Sequence, residues 1–151
     1  MRKIAALHTE EYESAPDSMV SVPGRFHLLG DHTWFARGNT LSMAIDKSLF
    51  LAVSARTDQN YRVYSASLGE RKKFSSSNLK YRKEDRWANS VKAVVASFME
   101  YGIQIPGLNI TMLSEIPPDA GLGTPNAMKV AAGIALKRLF APQIDDSVLV
   151  A

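Results

Sequence analysis

At 151 residues the chain is long enough for one domain with a real core. Its 46% hydrophobic and 22% charged composition is that of a globular protein and excludes a disordered one, and the lack of cysteine excludes disulfides and thiolate metal sites. The net charge of +3, with an isoelectric point near 9.2, is only mildly basic. Most of the excess sits in Arg71-Lys72-Lys73 and in residues 80–86. Such a run can meet nucleic acid or a phosphate, but it more often marks a solvated hairpin edge, so nucleic acid is not the expected partner. No window approaches the roughly 18 consecutive apolar residues of a membrane span. Met1-Arg2-Lys3 is not followed by an apolar stretch of signal-peptide length, so a cytoplasmic protein without membrane attachment is expected.

In chain order, residues 1–17 read as a weakly specified, locally acidic leader closed by Pro16. Residues 19–22 read as a short strand ended by Pro23-Gly24, and residues 26–29 as a brief apolar run ended by Gly30. Residues 40–45 and 48–55 read as two strands turning at Asp46-Lys47. Residues 61–66 alternate as a strand, with 71–74 pairing across the 67–70 turn, and 75–78 form a polar loop. A helix follows in which Trp87, Val91, Val94, Val95 and Phe98 share one face, with Asp85 as its N-cap and Gly102 just past its end. Residues 107–113 read as a strand with Leu108, Ile110 and Met112 on one face. A second helix spans 124–140, with Val130, Ala131, Ile134 and Leu139 inward and Pro142 as its stop. Asp145-Asp146-Ser147 then looks like a further helix start. A strand-rich first half followed by two helices split by a strand predicts an α+β two-layer domain, a mixed or antiparallel sheet with helices on one face, filling residues 1–151 as a single unit.

The chemically suggestive segment is Pro117-Pro118-Asp119-Ala120-Gly121-Leu122-Gly123-Thr124-Pro125-Asn126-Ala127. Gly121 and Gly123 allow backbone to approach a ligand. Thr124 is a natural N-cap and Pro125 suits the first helical position. The helix would then aim unpaired N–H groups and its positive dipole end at the loop, which suits a phosphate. The same residues would also serve an ordinary loop-to-helix turn.

Val22-Pro23-Gly24-Arg25-Phe26-His27-Leu28-Leu29-Gly30-Asp31-His32-Thr33 resembles the signature near the start of galactokinases. Residues 41–46 resemble the strand that follows it, and Arg86-Trp87-Ala88-Asn89-Ser90-Val91-Lys92 resembles a helix start of the same enzymes. The Gly121 loop falls where the superfamily of galacto-, homoserine, mevalonate and phosphomevalonate kinases keeps its phosphate loop. The resemblance implies the N-terminal domain of an ATP-dependent sugar kinase of galactose type. The catalytic aspartate and the second domain would lie beyond residue 151, so this chain alone would be inactive.

It further implies Arg25 as the catalytic arginine near the transferred phosphate, where a guanidinium stabilises charge. Asp31, His32 and Trp34 fall at sugar-contacting positions. Trp87, Gly121, Leu122, Gly123, Thr124 and Asn126 fall on the nucleotide side. ATP and Mg2+ are the implied cofactors, a sugar and a nucleotide the implied small-molecule partners. Three departures stand out. Asp31 replaces a longer glutamate, Trp34 replaces an aspartate and offers no carboxylate acceptor, and Pro125 stands at a serine position of the phosphate loop. The residues holding a metal are therefore unknown. The alternative reading is a non-catalytic sugar- or nucleotide-binding module, self-associating or completed by another chain.

Overall fold

The computed structural model describes residues 1–30 and 38–149. A five-stranded sheet runs in the order β1-β2-β5-β3-β4, where β1 is Ser18–Leu29, β2 Leu41–Ala55, β3 Asn60–Ser65, β4 Glu70–Ser75 and β5 Leu108–Ser114. The β3–β5 pair is parallel and the other three are antiparallel, so the sheet is mixed, as the α+β reading requires. Helices α2 (Ala88–Glu100) and α3 (Thr124–Phe140) pack on each other, and α3 also lies on β1 and β2. The core between these helices and the sheet gathers Leu51, Val53, Val63, Val91, Val95, Leu108, Ile110, Ala131 and Leu136, all at most 2% exposed.

Several sequence expectations give way. Residues 1–17 are not a leader. Arg2–Tyr12 form a helix, α1, which packs on β5 and β2. It buries Ile4 and His8, and His8 holds Thr111 Oγ1 and Ser54 Oγ at 3.0 Å each. Because α1 covers the face opposite α2 and α3, Asn109 and Thr111 are buried as well as Leu108, Ile110 and Met112. A strand buried on both sides loses the polar alternation that would have revealed a second cover.

The two pieces expected at 19–22 and 26–29 are one strand. Pro23 is tolerated because β1 is an edge of the sheet and its register shifts between Pro23 and Arg25. The two strands expected at 40–45 and 48–55 are likewise one. Asp46-Lys47 does not reverse the chain; with Ile45 it makes a bulge opposite Gly24, and β2 runs on because β1 pairs with it on both sides of that bulge. The 61–66 and 71–74 hairpin forms with Tyr61 opposite Phe74.

At α2 the N-cap is Trp87 without a side-chain bond. Asp85 ends the 3-10 turn Lys83–Asp85 and is instead ion-paired with Lys92, which is 1% exposed. A buried ammonium needs a counter-charge more than the helix needs a cap. Val130 on α3 is exposed; Ala127, Met128, Ala131, Ala132, Gly133, Ala135 and Leu136 are buried, and Ile134 and Leu139 pack partly buried against the core as expected. The small alanines let α3 approach the sheet and α2 closely.

Beyond Leu49, β2 leaves β5 and pairs only with β1, so residues 25–29 and 41–48 form a two-stranded arm. A second register shift, between His27 and Leu29, sets Leu29 opposite Leu41, while Phe26 faces Met43. All four side chains are about half exposed or more.

Candidate functional site

Arg25 and Leu122 of the Gly121 loop are 97 residues apart in sequence and adjacent in space. The Arg25 N–H donates to the Leu122 carbonyl at 2.9 Å. Gly24 makes this approach possible. A Cβ there would lie 3.1 Å from Leu122 O, 3.0 Å from Ile45 Cδ1 and 3.2 Å from Ile116 Cδ1. Gly123 answers from the other side, since a Cβ on it would come within 3.1 Å of Arg25 Cγ. Each glycine leaves room for the other segment's backbone or side chain. The guanidinium of Arg25, an exposed residue, has no hydrogen-bond or ion-pair partner among the described residues, so a cation stands open beside the loop.

The loop is wound through left-handed conformations at Asp119 (φ 55), Gly121 (φ 70) and Gly123 (φ 80). Gly123, not Thr124, is the N-cap of α3. Thr124 is the first helical residue and Pro125 follows it. The left-handed backbone at Gly123 turns the chain into the helix without a side-chain cap, so the Thr124 hydroxyl is not used for capping. The Ala127 N–H closes the first turn on Gly123 O at 2.9 Å. Pro125 has no N–H to offer, which leaves Thr124 and Asn126 as the donors at this helix start.

A cavity of about 710 Å³ opens in front of the loop, between the start of α3, the start of α2 and the ends of β3 and β5. Trp87, Gly121, Leu122, Gly123 and Thr124 line it, whereas Asn126 is exposed and does not. Met112, Ile116 and Met128 make its apolar floor. Ser90, from the segment 86–92, also lines it, as do Ser67 and Leu68, which carry no local signal in the sequence; the parallel pairing of β3 with β5 brings these two there. Ser67 is fixed by a two-way bridge to Ser114, accepting from its N–H at 2.7 Å and donating to its carbonyl at 3.1 Å. Asp31, His32 and Trp34 lie outside the described residues. On the adjoining arm, His27 Nδ1 and Ser42 Oγ are 2.7 Å apart.

Part of the basic run is occupied internally. Arg71 makes a two-pronged pair with Glu11 and lies 4.5 Å from the Tyr64 ring centre, and the Lys72 ammonium donates to Glu84 O at 2.9 Å. On the α1 side of the sheet, burial pushes the His8 imidazole down to about 4, against a weaker upward pull from Asp17. His8 is therefore a neutral structural group remote from the cavity. Among the described residues, no group of three or more His, Cys, Asp and Glu side chains could hold a metal ion.

Residues 6–55 match the galactokinase galactose-binding signature, and residues 89–151 match the GHMP kinases N terminal domain. The chain is galactokinase-like. It is 62% identical over 141 residues to a protein of Treponema pallidum (strain Nichols) provisionally named a galactokinase, covering 93% of this chain and 36% of that one. It is 34% identical over 126 residues to the galactokinase of Bacillus subtilis (strain 168), covering 82% of this chain and 32% of that enzyme. The galactokinase-like chain thus spans about a third of the length of the curated relatives it matches. Its fold is shared with Lactococcus lactis galactokinase, solved with galactose, at a TM-score of 0.85 and 22% identity over 99% of this chain and 39% of that one. The mevalonate kinase of Methanococcus jannaschii has the same fold at a TM-score of 0.73 and 17% identity, over 87% of this chain and 43% of that one. No helix among the described residues is long and apolar enough to cross a membrane.

Proposed function

We propose that this chain supplies the nucleotide-binding half, and part of the sugar-binding half, of an ATP-dependent sugar kinase of galactose type. The observation that carries the proposal is the meeting of Arg25, which does not itself line the cavity, with the Leu122-Gly123 backbone, which does. A phosphate seated at the start of α3 would accept from the Thr124 and Asn126 N–H groups and feel the helix dipole. Arg25 would stand beside it, where a guanidinium can neutralise charge on a phosphoryl group in transfer. The nucleoside would occupy the cavity toward Trp87. Asp31, His32 and Trp34 would meet the sugar, as the match of residues 6–55 to the galactose-binding signature supports. Trp34 can stack on a sugar face but cannot accept a hydroxyl proton, so the sugar's stereochemistry would be read by other groups.

Pro125 takes away the serine hydroxyl expected at that position of the loop, so magnesium would add little affinity here. The exposed apolar face of the β1–β2 arm, Phe26, Leu29, Leu41 and Met43, supports a partner surface there, from a second copy or a completing chain.

Titration calorimetry tests the reading. ATP and ADP are expected to bind at about millimolar Kd, roughly 4 kcal/mol, with little change on adding magnesium. Pro125→Ser is expected to introduce some magnesium dependence. Absence of any nucleotide binding in both forms would reduce the loop to a structural turn. Sugar binding without nucleotide binding would favour the non-catalytic sugar-binding alternative.

A further inference from the structure

The cavity wall at Trp87 is held by a residue that is not part of the cavity. Trp87 Nε1–H donates to Glu70 Oε2 at 2.8 Å, and Arg86 Nη1 lies 3.5 Å from Glu70 Oε1. One carboxylate at the start of β4 therefore grips two successive residues at the entrance to α2. The backbone between them is abnormal. Arg86 has φ 45 and ψ −117, a conformation that a residue with a Cβ adopts only when its surroundings impose it. Asn89 imposes it from the helix side. Its Nδ2 donates to Arg86 O at 3.0 Å and Arg82 O at 2.7 Å, and its Oδ1 accepts from Arg82 N–H at 3.2 Å. Ala88, between these residues, is fully buried. Asn89 thus fixes the main chain of the turn, and Glu70 is left to fix the rotation of the indole.

We infer that Glu70 is a positioning residue that sets the Trp87 ring as a stacking wall for the nucleotide base. This inference rests on the nucleotide reading of the cavity. A half-buried indole has an apolar face for stacking and one N–H that needs an acceptor. Anchoring that N–H to Glu70 presents the ring in a single orientation without taking any polar group from the ligand. The carboxylate's second oxygen lies toward Arg86, an exposed pair that adds a weak bias to the same Glu70 orientation. The phosphate side of the site, at Arg25 and Gly121 to Thr124, shares no hydrogen bond with this clamp, so the two halves of the ligand should respond separately to its loss.

The test is a ligand-observed NMR titration of the 151-residue chain with ATP and with inorganic tripolyphosphate. The parent, Glu70→Ala, Glu70→Gln, Trp87→Phe and the Glu70→Ala/Trp87→Phe double variant are compared, with melting curves to show that each is folded. Glu70→Ala is expected to weaken ATP about fivefold and leave tripolyphosphate unchanged. Glu70→Gln, which keeps an acceptor for the indole, is expected to recover most of the loss. In the Trp87→Phe background, Glu70→Ala is expected to have no further effect, since the two act through one bond. Equal weakening of ATP and tripolyphosphate, or additive losses in the double variant, would make Glu70 merely structural and overturn the inference. Unchanged ATP binding in a folded Glu70→Ala would overturn it too, and if that variant does not fold, Glu70→Leu, which removes the acceptor but keeps the bulk, takes its place. A parent that binds tripolyphosphate but no better with adenosine attached would refute the base-stacking wall. A parent that binds neither probe would refute the nucleotide reading itself.

Discussion

Gly24→Ala is the most direct probe of how the arginine strand and the glycine loop fit together. Of the three atoms a Cβ would meet, Ile45 Cδ1 and Ile116 Cδ1 at 3.0 and 3.2 Å are ends of flexible side chains and can rotate aside. Leu122 O, at 3.1 Å, is backbone and is tied to Arg25 N–H at 2.9 Å, so it can retreat only by stretching that bond. Overpacking of this kind costs about 1–3 kcal/mol, and a weakened hydrogen bond adds roughly 0.5–1 kcal/mol. The reduced entropy of the unfolded chain returns about 0.4–1 kcal/mol. The net expectation is about 2 kcal/mol of destabilisation, or roughly 4–8 °C in Tm for a domain of this size. Gly133→Ala is the internal control. This glycine is buried in α3, and its nearest Cβ neighbour is Leu149 Cδ2 at an ordinary 4.0 Å. There the same substitution should stabilise by about 0.5–1 kcal/mol through helix propensity. Urea melts of the three proteins measure the difference, and nucleotide titration should show weaker binding for Gly24→Ala alone. A Gly24→Ala protein within about 0.5 kcal/mol of the parent, with unaltered nucleotide affinity, would refute the close approach on which the site is built.

Three further outcomes are expected. His8 is buried and neutral with its pKa lowered from 6.5 to about 4, so the unfolded chain takes up a proton before the folded one does. Stability should fall by about 3 kcal/mol as pH drops from about 6.5 to about 4. Urea melts at several pH values should show that slope, and His8→Gln should remove it. In a coupled ADP-release assay with galactose, ATP and magnesium, the chain alone should not turn over; rates on the order of 1 per second would refute this. Sedimentation should show self-association that is reduced by Phe26→Ser with Met43→Ser, and a clean monomeric parent at high concentration would count against the arm as a partner surface.

Periodicity and end signals made much of the fold legible. α3 occupies 124–140 as its apolar spacing and Pro142 require, and α2 buries Val91, Val95 and Phe98 on the stripe the sequence shows. The β3–β4 hairpin likewise follows from its alternation. These are local properties, set by which residues recur every 3.6 or every two positions. The motifs around Arg25 and Gly121 were legible for the same reason, as short runs with a recognisable chemistry.

What the tertiary structure alone decided is non-local. Helix α1 has little apolar surface of its own and exists because it packs on β2 and β5, burying Ile4 and giving His8 partners on both strands. The joining of 41–55 into one strand depends on pairing with β1 on both sides of Asp46-Lys47, which reduces the expected turn to a bulge. Asp85 is drawn from capping to Lys92 because a buried charge outweighs an open helix end. The meeting of Arg25 with Leu122 and Gly123, and of Glu70 with Trp87, joins residues whose separation in sequence carries no periodic signal. Local pattern chose the residues, and packing of the sheet and its helices decided which of them share a site.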